Sequence, residues 1–413
     1  MASLISHIKK LLPAPLLSLA RAIWHPGIAF ISAVRHGFPV RTMIVIGVTG
    51  TKGKSTVSEM LFAILRAAGK STALASTIRF AVDDDSTPNR FKMTMQGRGF
   101  LQAFLAHAKK RGATHAVVEI TSEGARQYRN AFLGLDTLIV TNIQREHIES
   151  HGSFEKYVAA KRGIVKSLER SSKKRRTLVA NADNEFTARF LEEVRGVEAV
   201  PFSEKELAGG AITLPIPGVF NQMNALAALK AAKALGISRD VALRALKKMP
   251  PVLGRLERIE CGQPFGVIVD YAHTPDSLAA LYGAYSGKKK VCVLGNTGGG
   301  RDIWKRPEMG RIADEACETV ILTNEDPYDE NPRKIADEMA AGMKRRPEII
   351  MDRREAIREA LRQAQSSKNQ NDIVVLVSGK GTDPYIMVAS GKKIPWSDAA
   401  VAKEELRALG FEG

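Results

Sequence analysis

Gly47-Val48-Thr49-Gly50-Thr51-Lys52-Gly53-Lys54-Ser55-Thr56 is the stretch whose reading decides the fold. An apolar β-type run at 42–46 precedes it and a helical pattern at 57–68 follows. Strand, glycine-rich turn and helix in that order form the context of a phosphate-binding loop. The glycines let backbone N–H groups close around phosphate oxygens, and the helix N-terminus adds partial positive charge. The nucleotide-binding candidates are therefore Gly50, Thr51, Lys52, Gly53, Lys54, Ser55 and Thr56. Lys54 can reach the β/γ-phosphates as a point charge, and Ser55 can offer its hydroxyl to Mg²⁺. The spacing departs from the usual G-x-x-x-x-G-K-[ST]: Val48 stands where the first glycine belongs, and Gly47 sits one place earlier.

A chain of 413 residues has room for two or three domains, and 44% hydrophobic with 25% charged residues describes an ordinary globular protein. The formal net charge of +17 suits polyanionic ligands such as nucleotides, and equally an anionic membrane surface or nucleic acid. No RNA-recognition signature, helix-turn-helix or interleaved aromatic/basic stripe is present, so nucleic acid is not an expected partner. Cys261, Cys292 and Cys317 show neither a C-x-x-C pair nor metal-ligand spacing, which predicts buried thiols in a reducing cytoplasm. Glu59 is the first acidic residue. Lys9-Lys10 and the apolar run at 11–22 mimic a secretory signal, but Pro13 and Pro15 are expected to break that run. Residues 1–40 read as a short basic helical segment, packed on the next domain or touching a membrane surface.

From residue 42 the chain alternates. Strands are expected at 43–48, 71–76, 115–120, 137–141, 177–181 and 198–202, with helices such as 99–111 and 155–169 between them. That alternation predicts a mostly parallel sheet covered on both faces. Two alanine-rich helices at 222–235 and 238–248 follow Gly218-Val219-Phe220-Asn221, and Pro250-Pro251 marks a boundary. A second block has strands at 265–270, 290–295, 319–323, 348–351 and 372–377, with helices such as 306–317 and 332–344. The expected class is α/β: a central P-loop ATPase domain at 41–249 and a C-terminal Rossmann-like, doubly wound domain at 250–413.

Polar clusters fall just after the strands, where open α/β sheets bind ligands. Glu119, at the end of a buried strand, can ligate Mg²⁺. His147 shares that strand-end edge, although Mg²⁺ prefers oxygen. In the second block the clusters are Asp270-Tyr271-Ala272-His273-Thr274-Pro275-Asp276, the loop at 295–302 ending in Arg301-Asp302, and Gly379-Lys380-Gly381-Thr382-Asp383. A phosphate loop followed by a second domain with polar loops predicts ATP in a cleft and a second substrate presented by the other domain.

With these motifs in this order the chain resembles the Mur ligases, the ATP-dependent amide-forming enzymes of peptidoglycan precursor synthesis, and within them the MurE type. The resemblance runs from about residue 44 to the C-terminus and is carried by residues 47–56, Glu119-Ile-Thr-Ser-Glu-Gly, Thr141-Asn-Ile-Gln-Arg-Glu-His147, Lys161, Asn221-Gln-Met-Asn224, Gly254-Arg255-Leu-Glu257, residues 270–276, Gly300-Arg-Asp302 and Gly379-Lys-Gly381. It implies that ATP phosphorylates the carboxylate of a UDP-MurNAc-peptide and that the amine of an amino acid captures the acyl phosphate. Ser55 and Glu119 would bind one Mg²⁺, His147 would lie near a second, and a carbamylated Lys161 would supply that second ion with an anionic oxygen. Asn221 and Asn224 match the adenine side, and Arg255, Asp270, His273 and Asp352 match second-domain positions facing ATP. Lys54, Lys161, Asp270 and His273 are thereby the catalytic candidates. Thr94, Ser122, Gln127 and Arg129 match sugar and peptide contacts; Arg301, Asp326, Gly379 and Asp383 match the incoming amino acid.

The departures are specific. Members that add meso-diaminopimelate carry Asp-Asn-Pro-Arg where this chain has Glu325-Asp326-Pro327-Tyr328, so the clamping arginine is missing. Glu123 stands where histidine is usual. About 40 residues precede the first block, too few for the family's UDP-holding N-terminal domain. Two other readings remain at this level: a folylpolyglutamate synthetase-like ligase with another acceptor, and a non-catalytic nucleotide-binding scaffold at the membrane surface.

Overall fold

The first sheet owes its order to strands buried on both faces. A computed structural model describes residues 14–412 apart from positions 92, 98, 147 and 301, with side chains from Trp24 onward except those of residues 148 and 149. Its strands are β1 (Ile44–Thr49), β2 (Thr72–Ala75), β3 (Arg79–Val82), β4 (Asp85–Pro88), β5 (His115–Glu119), β6 (Thr137–Val140), β7 (Thr177–Asn181) and β8 (Glu198–Phe202). They lie in the order β4-β3-β2-β5-β1-β6-β7-β8. The pairs from β2 to β8 are parallel, whereas β2–β3 and β3–β4 are antiparallel. β5 and β6 have apolar centres and are buried at every position, as parallel strands covered by helices must be. Because β1 lies between β5 and β6, its C-terminal turn emerges beside both of theirs. The β3–β4 hairpin escapes sequence reading: β4 is Asp-Ser-Thr-Pro and exposed throughout, with no apolar alternation to reveal it.

Pro15 does not break the N-terminal segment. The helix Ala14–Arg35 contains it in the first turn, where a missing N–H costs nothing, and continues past Pro26. Ser32 Oγ donates to Gly99 O at 3.3 Å and Ala33 is buried, so the end of this helix packs on the domain that follows it. Trp24, Phe30, Ile31 and Val34 stay exposed. Among the described residues no helix is long and apolar enough to cross a membrane.

Two compact units emerge. The first comprises residues 1–145, 153–210 and 224–245; the second comprises 146–152, 211–223 and 246–413. The second unit holds β9 (Glu257–Arg258), β10 (Gly266–Asp270), β11 (Lys289–Leu294), β12 (Thr319–Leu322), β13 (Glu348–Ile349) and β14 (Ile373–Ser378), in the order β13-β12-β11-β14-β10-β9. All pairs within this sheet are parallel except β9–β10. Val267, Val293, Val375, Ile357 and Leu361 are fully buried between this sheet and its helices.

The helix expected at 332–344 ends sooner, as Pro332–Ala340. A Cβ on Gly342 would meet Pro307 O at 1.8 Å, and the N–H of Lys344 turns away to the Asp314 carboxylate at 2.8 Å. The cysteine expectation is also corrected. Cys292 and Cys317 form a disulfide with their Cα atoms 6.2 Å apart, and only Cys261 is a buried free thiol. Cys292 lies in β11 and Cys317 just before the neighbouring β12, so the crossover helix Lys305–Ala316 brings together two residues that sequence spacing holds apart.

Candidate functional site

β1 ends at Thr49, and the chain turns through residues 50–53 into the helix Lys54–Ala67. Gly50 has φ 142° and Gly53, the helix N-cap, has φ 82°. Both glycines are required by space as well as by conformation. A Cβ on Gly50 would lie 1.9 Å from Thr141 Oγ1, and one on Gly53 would lie 2.3 Å from Asn224 Oδ1. Thr141 Oγ1 donates to Lys52 O at 2.6 Å, and Asn142 Oδ1 accepts from Lys52 N at 2.9 Å. Thr51 Oγ1 shares a hydrogen bond with the Tyr157 hydroxyl at 2.7 Å and accepts from Gln144 N at 2.9 Å. The turn is thus fastened from the loop after β6 and from the helix Phe154–Glu169.

Lys54 Nζ folds over this turn and donates to Gly50 O at 3.0 Å and Thr51 O at 2.8 Å. Lys161, 2% exposed, approaches from beneath and donates to Thr49 Oγ1 at 3.1 Å and Gly50 O at 2.8 Å. Two lysines on one turn make it a cationic cradle, the donor set that a polyphosphate needs. Ser55 and Thr56, both buried, occupy the first helical turn. Glu119 is 1% exposed at the end of β5, beside β1 in the sheet. Its oxygens accept from Thr77 N at 3.1 Å and Thr77 Oγ1 at 2.8 Å, and Thr77 Oγ1 also meets Thr94 Oγ1 at 2.8 Å. The glycine cradle fits phosphate groups, and the oxygens of Ser55 and Glu119 are the hard donors that Mg²⁺ prefers. His147 lies outside the described residues. Among the described residues no cluster of three or more His, Cys, Asp or Glu could by itself hold a metal, so any ion here leans on phosphate oxygens or water.

The sugar and peptide candidates also belong to the first unit. Ser122, buried, opens the short helix Ser122–Arg126, which the Thr121 side chain caps at Gly124 N. Arg129 donates to Gln127 Oε1 at 2.5 Å and to Met95 O, which ties this turn to the segment carrying Thr94. Sequence reasoning missed Thr77, which links Glu119 to Thr94, and Tyr157, which fixes Thr51. Neither sits in a motif; only the fold brings them to the turn.

In the second unit, Asp270 ends β10. It accepts from Leu256 N and Ala272 N, each at 2.7 Å. Burial raises its pKa, and the neighbouring Arg255 opposes that rise. Arg255 stacks on the Tyr271 ring at 4.4 Å. His273 Nδ1 donates to Tyr271 O at 2.7 Å, while Nε2 faces Glu146 Oε1 at 3.4 Å. Tyr271 is held well above its ordinary pKa, first by the Asp383 charge and then by burial. Asp326 accepts from Lys380 Nζ and from Met387 N, both at 2.8 Å, and Asp383 stands 3.5 Å from the same lysine. Glu325 Oε1 accepts from Thr297 at 2.8 Å, and its buried Oε2 points at Gly379, where a Cβ would come within 2.2 Å. Burial, with Asp326 beside it, raises the Glu325 pKa. Asn221 is buried and donates to Pro217 O at 2.7 Å. Asp352 caps the helix Arg353–Ser366, accepting from Glu355 N at 3.0 Å. Arg301 lies outside the described residues.

Known proteins resemble this chain in sequence and in fold. The Mur ligase middle domain matches residues 48–210, and the Mur ligase, glutamate ligase domain matches residues 254–381. A UDP-N-acetylmuramyl-tripeptide synthetase of Roseiflexus sp. (strain RS-1) is 34% identical over 97% of this chain and 85% of its own length. A UDP-N-acetylmuramoyl-L-alanyl-D-glutamate--2,6-diaminopimelate ligase of Caldanaerobacter subterraneus subsp. tengcongensis is 32% identical over 89% of this chain and 79% of its own. A solved structure of a ligase of that same name superimposes with TM-score 0.60 at 27% identity, covering 90% of this chain and 79% of the other. Mycobacterium tuberculosis folylpolyglutamate synthase complexed with ADP gives TM-score 0.70 at 18% identity, covering 86% and 92%, which is a likeness of fold alone. The chain is an ATP-dependent, ADP-forming, amide-bond-forming ligase, and it belongs to the Mur ligase family, among relatives of the MurE type.

Proposed function

We propose that this ligase adds an amino acid to the carboxylate of a UDP-MurNAc-peptide through an acyl phosphate, in cytoplasmic peptidoglycan precursor synthesis. The observation that carries the reading is the turn at the end of β1, where Lys54 and Lys161 converge on Gly50 O within 3.0 Å. A carboxylate is a poor electrophile, and phosphorylation gives it a leaving group. The residues then have to neutralise charge and hold the reactants in line. Lys54 neutralises the β/γ-phosphates, and the N–H groups of residues 53–56 at the helix N-terminus hold them. Mg²⁺ held by Ser55 and Glu119 would supply further charge neutralisation. Thr94, Ser122, Gln127 and Arg129 orient the acceptor. Arg301, Asp326, Gly379 and Asp383 receive the amino acid, and Asn221, Asn224, Arg255, Asp270, His273 and Asp352 serve the nucleotide. His147 and a carbamylated Lys161 serve a second Mg²⁺. Lys161 is buried on the turn, and unmodified it donates to Thr49 Oγ1 and Gly50 O. The exposed Trp24, Phe30, Ile31 and Val34 support peripheral membrane contact by the N-terminal helix.

Phosphate release with ATP, UDP-MurNAc-L-Ala-D-Glu and a panel of amino acids tests the reading. Release that depends on both acceptor and one amino acid supports it. Phosphate release with a folate acceptor instead, or ATP binding without amino-acid-dependent turnover, overturns it.

A further inference from the structure

The first unit carries a second concave site that the reaction as described does not use. An open cavity of about 660 Å³ is lined by Phe38 and Arg41 ahead of β1, by Arg126, Tyr128 and residues 130–135 of the loop leading into β6, and by Ser167, Arg170 and Lys173 at the end of the helix Phe154–Glu169 and beyond it. Its size is that of a small-molecule site. Arg41, Arg126, Arg170 and Lys173 give it four cations, and no acidic side chain is among its lining residues. Lys173 is held at 2.9 Å to Val40 O and 3.3 Å from Asp136, and the Arg41 guanidinium lies 4.5 Å from the Phe38 ring centroid. Three aromatic rings line the same walls: Phe38, Tyr128 and Phe132. All three have positive φ, at 47°, 56° and 60°. A bulky residue in that conformation costs energy, and such strain gathers at binding sites. Phe132 is 42% exposed and Tyr128 46% exposed, so flat apolar faces stand open beside the guanidinium groups.

We infer that this cavity binds a diphosphate ester, with the arginines on the diphosphate and Phe132 stacked on a flat base. The inference rests on the ligase reading above in one respect, that the ester is the distal end of the acyl acceptor. The geometry is consistent with that. Lys161 and Arg170 lie along one helical stretch, about 14 Å apart at 1.5 Å per residue. A hexose joined to two amino acids at about 3.5 Å each covers a similar span. Gln127 and Arg129 lie on the stretch of chain that leads into the cavity loop. A nucleoside diphosphate is the favoured source because guanidinium groups and stacking rings are combined. A prenyl diphosphate has the same anionic head, and Phe30, exposed on the N-terminal helix, meets Phe132 at 5.7 Å between ring centroids.

Calorimetric titration of the full chain with UDP, farnesyl diphosphate and inorganic pyrophosphate, with and without saturating ATP, tests the inference. UDP is expected to bind in the presence of ATP and to weaken about tenfold in Arg170→Ala, as for the loss of one charge-assisted contact. Phe132→Ala should weaken UDP and leave pyrophosphate unchanged. Farnesyl diphosphate binding more tightly than UDP, with the same Arg170 dependence, upholds the site and assigns its ester to a lipid. Neither ester binding, or UDP displaced by ATP and indifferent to both substitutions, overturns it. ATP binding by the two variants reports an intact fold. Acceptor-dependent phosphate release is read separately, so loss of the cavity site and loss of the ligase reading are distinguishable.

Discussion

Replacing Gly50 with alanine tests the account of the phosphate turn most directly. Two costs can be read from the structure. At φ 142° a side chain pays about 1–3 kcal/mol in backbone strain. The new Cβ would also lie 1.9 Å from Thr141 Oγ1 and 3.2 Å from Asn142 N, so the threonine must give way. Moving it breaks the 2.6 Å bond to Lys52 O, worth about 0.5–1.5 kcal/mol net. The sum is about 2–4 kcal/mol against the phosphate-ready turn. If about 2 kcal/mol of that falls on the binding-competent conformation, ATP affinity drops about 30-fold. If it is borne by the folded unit, the melting midpoint falls by about 4–16 °C. Binding of a fluorescent ATP analogue and thermal unfolding measure the two. Thr141→Ala removes the obstacle but not the strain, so Gly50→Ala/Thr141→Ala should bind better than the sum of the single effects allows. A Gly50→Ala protein that binds ATP within about twofold of the parent and melts at the same temperature refutes the reasoning. So does strict additivity in the double variant.

Lys161→Ala should lower turnover by at least about a hundredfold, because the lysine holds Thr49 and Gly50 and, on the proposed reading, carries the carbamate. Short carboxylic acids should restore part of the phosphate release, and full activity in the variant would remove Lys161 from the mechanism. Glu405 links the helix Asp398–Ala408 to Arg354 and Arg358, at 2.7 Å and 2.6 Å. Burial opposes its charge, but the two arginines prevail and its pKa is lowered from the ordinary 4.5. The stabilisation is therefore full above that value and is lost as pH falls through the lower folded pKa. Glu405→Gln should cost about 1–3 kcal/mol at pH 7 in chemical denaturation, and the gap to the parent should close in acid. A gap unchanged by acid would show that the carboxylate charge is not its cause.

Much of the architecture is legible in one dimension. β1, β5 and β6 are short, mostly apolar runs that end at Thr49, at Glu119 and just before Thr141, and a parallel sheet demands such runs because helices cover both its faces. Gly50, Gly53 and Lys54 are readable because a phosphate turn needs backbone freedom and a cation at fixed spacing. Glu119 is readable because a carboxylate at a buried strand end has few structural reasons to be there. The hairpin β3–β4 carries no apolar alternation, and Pro26 inside the N-terminal helix runs against local preference. Thr77 and Tyr157 carry no signal of their own; each matters through the group that it reaches across the sheet.

The sequence by itself determined the order of strands and helices, the phosphate turn and its lysine, and the family, since these depend on neighbours along the chain. Only the tertiary structure decided that Lys161 lies under Gly50, that Cys292 meets Cys317, and that three arginines and three strained rings share one cavity. The physical reason is separation. Lys161 and Gly50, like the two cysteines, are far apart along the chain and acquire their chemistry from distances of a few ångströms, which crossover helices and sheet order set.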